Sequence, residues 1–364
     1  MPDRSIISDA ADGPDPPSAN VSEPTMSAAS TEVVAVAATR PPLVRLAERA
    51  GGLWTLGVLA GLVVVFGLVA PGFYSQANWL ATSQYAVEFM LLALGQTFVI
   101  ITGGIDLSDG AMLGLSSMAA SVLMFHFMGT GNGSTPLVIA GSATAVVVGA
   151  LVGLINGLII TKVKITPFIV TLGMLGIATG ATYLLNGGME VTILPPQVAA
   201  LGNTLIGGWI AVPVAITAGL AIVSWLVLSR TQFGLRTYAI GSNPLAARRA
   251  GINVDRHLIR VYLISGSLSG VAGLMVMARF ASASPLAGAN DELNAIAAAV
   301  IGGASLFGGR GTILGTVVGT FIISILVTGL ILAHVETFWQ QVAVGVILIA
   351  AVAADQVRMR LQSI

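Results

Sequence analysis

The chain has 364 residues, 55% of them hydrophobic and 9% charged, with no cysteine and a formal net charge of zero. A globular domain carries about a quarter charged residues, so this composition, with a mean hydropathy of +0.91, reads as a polytopic membrane protein and speaks against a soluble two-domain enzyme. The lack of cysteine removes disulfides, thiolate metal sites and a cysteine nucleophile, and the charge balance gives no reason to expect a nucleic-acid partner.

Residues 1–39 are rich in Asp, Pro, Ser and Ala and contain no aromatic residue, which predicts a disordered cytoplasmic tail, too acidic and polar for a secretory signal. Within 40–52, Leu43, Leu46 and Ala50 share one helical face away from Arg45 and Arg49, the pattern of a short interfacial helix. Uncharged apolar runs then follow at 53–70, 86–102, 111–128, 136–161, 167–185, 208–229, 259–278, 293–307, 312–333 and 338–354. Runs of this length suit transmembrane helices, so an all-α fold with about ten crossings is expected over 53–355, followed by a short C-terminus, 356–364. The eighth run is short and Ala-rich, and reads either as a full crossing or as a re-entrant or broken segment.

Lys and Arg near helix ends stay cytoplasmic. With the N-terminus inside, ten crossings place Arg40, Arg45, Arg49, Lys162, Lys164, the arginines of 230–260, Arg310, Arg358 and Arg360 in the cytoplasm, and only Arg279 outside. Nine crossings would put Arg358 and Arg360 outside, so ten with both termini cytoplasmic fits better. The external loops are then 71–85, 129–135, 186–207, 279–292 and 334–337, with mostly acidic charges. Three glycine ridges, Gly149/Gly153/Gly157, Gly266/Gly270/Gly273 and Gly311/Gly315/Gly319, predict close helix packing.

The stretch Ile101–Gly114, "ITGGIDLSDGAMLG", puts two aspartates beside an apolar span. A charged side chain at mid-bilayer costs about 2.5–3.5 kcal/mol, and parity places Asp106 and Asp109 at the cytoplasmic junction of the second and third spans. The expectation is a structural turn made by Gly103 and Gly104, with Asp106, Ser108 and Asp109 capping the third span, and not a buried ion site. Polar residues inside spans normally face a cavity or a partner helix. Gln96, Asn156, Thr171 and Asn294 are therefore candidates for a translocation path, interhelical hydrogen bonding being the other reading of Asn156.

The loop Ser229–Arg260 holds six arginines and one acid, Asp255, in a chain whose other cytoplasmic loops are short. Enforcing orientation is the plain reading. Its inner stretch, "NPLAARRAGIN", has helix-start chemistry, with Asn243 as N-cap, Pro244 at the first helical position and a stop at Gly251, and a short helix below the membrane suits docking into a groove on another protein.

"GGIDLS" (Gly103–Ser108), "ITPFIVTLGM" (Ile165–Met174), "NPLAARRAGI" (Asn243–Ile252) and "AIAAAVIGGASLFGGRGTILGTVVG" (Ala295–Gly319) occur in an order that resembles the permease subunits of ribose-type ABC importers. The resemblance covers roughly 53–355. It implies a bacterial inner-membrane subunit that translocates a monosaccharide delivered by a periplasmic solute-binding protein, beside a second permease copy and a separate ATPase. It also implies that Asn243, Ala246, Ala247, Arg248, Arg249 and Gly251 belong to the loop that meets the ATPase. Two positions depart from the family pattern: Asp109 stands where a small or apolar residue is usual, and Thr179 where many members have arginine.

No cofactor is expected on this chain, because "GASLFGGR" (Gly303–Arg310) lacks the Lys-Ser/Thr of a phosphate-binding loop and "GTGNG" (Gly129–Gly133) is not in a βαβ unit. His126, His257 and His334 lie at different span ends, which gives little support to a metal site. The alternatives are a stand-alone secondary transporter or channel, an intramembrane enzyme, and an ABC permease for nucleosides or branched-chain amino acids. The first normally needs an intramembrane carboxylate or arginine. The likeness between "GGIDLSDGAMLG" and "GGASLFGGRGTILG" reads as local, because both turns fall on the same side of the membrane.

Overall fold

The computed structural model describes residues 42–128 and 133–362; the expected tail and most of Gly129–Gly133 lie outside them. The chain divides into two units, 1–48 and 49–364, and the helical bundle is the second. The helices, in order, are α1 (Pro42–Val69, whose start lies in the first unit), α2 (Gln76–Ile101), α3 (Asp109–Phe127), α4 (Thr135–Leu158), α5 (Pro167–Leu185) and α6 (Pro196–Asn203). After the hairpin of β1 (Leu205–Ile206) and β2 (Ile210–Ala211) come α7 (Val212–Arg230), α8 (Gln232–Ser242), α9 (Pro244–Arg249), α10 (Val254–Phe280), α11 (Asp291–Ile301), α12 (Ile313–Leu332) and α13 (Thr337–Gln362). A wider π-helical turn, Ile159–Val163, ends α4, and Lys164 in left-handed conformation closes it.

Seven helices among the described residues are long and apolar enough to cross a bilayer: α2, α3, α4 with its π turn, α5, α7, α10 and α12. α1 and α13 contain shorter apolar stretches, Thr55–Val69 and Thr337–Ala353. α11, which falls on the eighth apolar run, has 11 residues, about 16 Å of helix at 1.5 Å per residue. It ends at Ile301, ahead of the expected 307, because Gly302 and Gly303 turn the chain. The hairpin was not foreseen in and after the external stretch 186–207, since two-residue strands leave no periodicity to read.

α2 and α10 form the centre. Buried residues make up 83% of the apolar window of α2 and 72% of that of α10, against 28% for α4 and α5 and 22% for α7. α4, α5 and α7 display apolar faces instead, with Ile139, Ile177 and Ile222 outward, as lipid-facing helices do. α10 packs on α4, α2, α3 and α6, and glycine decides how closely. A Cβ on Gly149 would meet the carbonyl of Gly266, one on Gly153 the carbonyl of Tyr262, and one on Gly270 the carbonyl of Ala145. The ridge of α4 and the ridge of α10 thus face each other across one interface, where backbone approach replaces the missing apolar driving force. On the other side of the bundle, Gly315 and Gly319 of α12 face the carbonyls of Gly302 and Ala298.

Two stretches inside the bundle are not helical, 102–108 before α3 and 281–290 before α11. The first turns of α3 and α11 meet: a Cβ on Gly110 would fall on the carbonyl of Gly288 and the Glu292 carboxylate, and one on Gly114 on the carbonyl of Ala287. The two glycine turns compared in the sequence do lie together at one end of the bundle, where Gly309 N–H donates to the carbonyl of Ile101 at 2.8 Å. The pair that shares an architecture is a different one, 102–127 and 281–301, each a non-helical entry followed by a helix, the second entry being a run of turns.

Gly153→Ala should destabilise the purified protein by roughly 1–3 kcal/mol, the usual cost of overpacking, read as a lower unfolding temperature in detergent. Gly176→Ala, on α5 with no atom near its would-be Cβ, should leave that temperature unchanged.

Candidate functional site

The turn after α2 does not stay at the surface. Gly103, with φ +81°, reverses the chain, and residues 105–108 run back along α2. Asp106 then lies level with Gln96, roughly 7 Å in from the helix end at 1.5 Å per residue. Gln96 holds the backbone there in both directions, its Nε2 donating to the carbonyl of Asp106 at 2.5 Å and its Oε1 accepting from Asp106 N at 3.3 Å. Thr171 Oγ1 of α5 donates to the carbonyl of Ile105 at 3.1 Å. Asn156 Nδ2 of α4 donates to Ser108 Oγ at 2.9 Å, and Ser108 in turn donates from Oγ and from N to Asp106 Oδ1 at 2.7 and 3.0 Å. Ser265 of α10 donates to Asp106 Oδ2 at 3.5 Å.

Gln96, Asn156 and Thr171, expected from sequence as path residues, therefore converge on Ile105, Asp106 and Ser108, within what was expected as a separate structural turn, while Gly103 and Gly104 at its start take no part in these bonds. The three path candidates are fully buried and are bonded to the backbone or side chains of 105–108. Asp106 and Asp109 are likewise fully buried, so the turn expected at the cytoplasmic junction of the second and third spans is folded into the bundle: hydropathy assigns depth from helical runs and has no means of seeing a non-helical segment fold back. The capping expectation is also corrected. Ser108 occupies the N-cap position of α3 without a side-chain cap bond, because its hydroxyl is already committed to Asp106. Asp109 Oδ1 accepts from Gly110 N at 2.8 Å, and its Oδ2 is buried without a partner among the described residues. The Glu292 carboxylate lies against Gly110, the next residue in the chain.

Asn294 lies apart from this network. Its Nδ2 donates to Asp291 Oδ1 at 3.3 Å, and with Asn290, Thr337, Gln340 and Gln341 it lines a cavity of about 290 Å³ between α11 and α13. Arg279, the lone cation expected outside, lies over the Tyr85 ring at 4.4 Å. No group of three or more His, Cys, Asp and Glu able to hold a metal ion occurs among the described residues.

At the end of the bundle where α2 finishes, 230–260 folds into α8, α9 and the start of α10. Asn243 caps α9 as expected, its Oδ1 accepting from Ala246 N at 2.9 Å, and Gly251, with φ +82°, lets the chain leave. Ala247 is turned inward and packs with Ile240 and Val254, while Leu245 is 60% exposed and Arg249 is exposed. Arg248 is paired with Asp255 at 2.7 Å, tying α9 to α10. Nothing in the sequence pattern pointed to the contacts behind this helix. Thr237 Oγ1 and His257 Nε2 are 2.8 Å apart, and Tyr238 donates to the carbonyl of Gly311 at 2.7 Å, where burial pushes its hydroxyl above the usual tyrosine range. Gly241 sits so close to the carbonyl of Ile101 and to Gly309 N that a Cβ there would overlap both. α8 is thus in contact with the turn that begins the Asp106 network.

Asp106→Ala leaves the N–H and O–H of Ser108 without their acceptor and should cost about 1–3 kcal/mol, measured as folded yield and unfolding temperature of the purified protein. Asp109→Asn should be nearly neutral by the same measurement, since the amide keeps the shape of the side chain and the acceptor for Gly110 N.

A profile of the family described as "Branched-chain amino acid transport system / permease component" matches residues 78–352. The ribose import permease protein RbsC of Bacillus subtilis (strain 168) is 41% identical over 317 residues, 84% of this chain and 94% of its own length. The D-allose transport system permease protein AlsC of Escherichia coli (strain K12) is 37% identical over 306 residues, 83% and 90% of the two chains. The fructose import permease protein FrcC of Rhizobium meliloti is 37% identical over 309 residues, 82% and 83%. No solved structure matches the chain. With a family profile over most of its length and relatives of this identity over more than four fifths of it, the chain belongs to this family of multi-pass inner-membrane permeases of ABC importers.

Proposed function

We propose that this permease carries a monosaccharide across the inner membrane, receiving it from a periplasmic solute-binding protein and drawing on a separate ATPase. What supports the reading is that relatives matching nearly end to end are import permeases for ribose, D-allose and fructose; the family description alone would leave branched-chain amino acids equally open. The stand-alone transporter is less well supported. The intramembrane carboxylates it requires are present, but Asp106 is consumed by Ser108 and Ser265, which is the behaviour of a structural group.

The chain crosses the membrane ten times, α11 with the turns of 281–290 making the eighth crossing, and both termini are cytoplasmic. Residues 40–52 open at the membrane surface. The end carrying α8 and α9 is then cytoplasmic, and α9 is the helix that the ATPase receives. Asn243, Ala246, Ala247 and Gly251 shape it, Arg248 braces it against α10, and Leu245 and Arg249 are its contact residues. A second copy of the chain completes the pathway.

Leu245→Asp or Arg249→Glu should abolish co-purification with the ATPase while leaving the amount of permease in the membrane unchanged, since neither side chain is packed. Ala247→Leu should lose both, because it displaces the helix. Uptake of radiolabelled ribose, fructose or allose into liposomes by the purified permease alone, without ATPase or binding protein, would refute the ABC mechanism.

A further inference from the structure

A cavity of about 160 Å³ lies where the turns before α11 pass between α3 and α5, lined among others by Leu175, Thr179, Tyr183, Leu286, Asn290 and Glu292. At roughly 30 Å³ per water it holds the volume of about five waters, well below the 300 Å³ or more of sites for drug-sized ligands, so it fits one small ring. Its chemistry is that of a polyol site. The Glu292 carboxylate, on a residue that is only 8% exposed, is a hydroxyl acceptor, and the Thr179 and Tyr183 hydroxyls donate or accept. Asn290 caps α11 by position only: it is held at φ +68° and makes no side-chain cap bond, so its amide is not committed to its own helix. Leu175 and Leu286 supply an apolar wall for the C–H face of a ring. No cation lines the cavity to pair with the carboxylate of an amino acid, and Glu292 would repel one.

We propose that this cavity is a holding site for a single neutral sugar ring in transit, with Glu292, Thr179, Tyr183 and Asn290 as its hydroxyl partners. The inference rests on the sugar-permease reading and goes beyond it by placing the substrate. Its position fits the role, because the cavity adjoins the first turns of α3 and α11, where two non-helical segments of the bundle meet.

The absence of any cysteine in the chain makes the test direct. Thr179→Cys and, as a control in the exposed stretch after the same helix, Met189→Cys (Met189 is 68% exposed) are introduced separately into the permease. Each is reconstituted with its ATPase and binding protein and treated with 2-aminoethyl methanethiosulfonate during turnover, with and without ribose, fructose or allose. A transported sugar should slow labelling several-fold at position 179 and not at 189, and Glu292→Gln should lower uptake of that sugar about ten-fold, the loss of one charged hydrogen bond. Wild-type uptake of none of the three sugars would overturn the sugar reading together with this one. Wild-type uptake without protection at position 179, or without any labelling there, would overturn this inference alone, whatever Glu292→Gln does.

Discussion

Backbone that leaves the helical state inside a membrane protein must find every hydrogen bond within the protein, because hydrocarbon offers none. The segment 102–108 meets that constraint in one way. Its carbonyls and N–H groups are taken by Gln96, Thr171, Asp106 and Met112, its serine by Asn156, and its carboxylate by two serines. Those partners come from α2, α3, α4, α5 and α10, so the relative positions of these helices are set by one extended length of chain. A carboxylate serves here because it accepts several hydrogen bonds at once and supplies the last acceptor a bent backbone needs.

Close packing makes the arrangement stiff. The α4–α10 interface is built on glycine against backbone carbonyl, so neither helix can slide without losing contact along its whole length. The contact of Gly241 with Ile101 and Gly309 extends this stiffness to α8. A push on α9, passed through Arg248 and Asp255 to α10 and through α8 to Ile101, reaches both ends of the Asp106 turn. That is a physical link between α8 and α9 and the place where α3 begins, made of one exposed side-chain ion pair and of packed backbone.

α9 was legible in the sequence down to its cap, because Asn-Pro starts and a glycine stop act within a few residues of themselves. Glycine ridges were legible as packing surfaces, though not which ridge met which. Gln96, Asn156 and Thr171 were recognisable as polar residues needing partners, and their partner was a segment that reads, by itself, as a separate turn. Thr237 and His257 gave no signal, since a threonine and a histidine 20 residues apart become neighbours only when α8 folds against α10. The cavity beside Glu292 was equally invisible: Thr179 and Tyr183 belong to one span, Asn290 and Glu292 to another, and its walls exist only where these two meet.

The sequence by itself determined the class of protein, the apolar runs, the cap and stop of α9 and the family, all of which depend on composition or on residues close together in the chain. Only the tertiary structure decided that Asp106 and Asp109 are buried, that α11 is a short helix behind a run of turns, and that the starts of α3 and α11 meet. The reason is physical. Hydropathy and periodicity report how one segment relates to solvent or lipid, whereas the depth of a non-helical segment is fixed by hydrogen-bond partners on the helices around it.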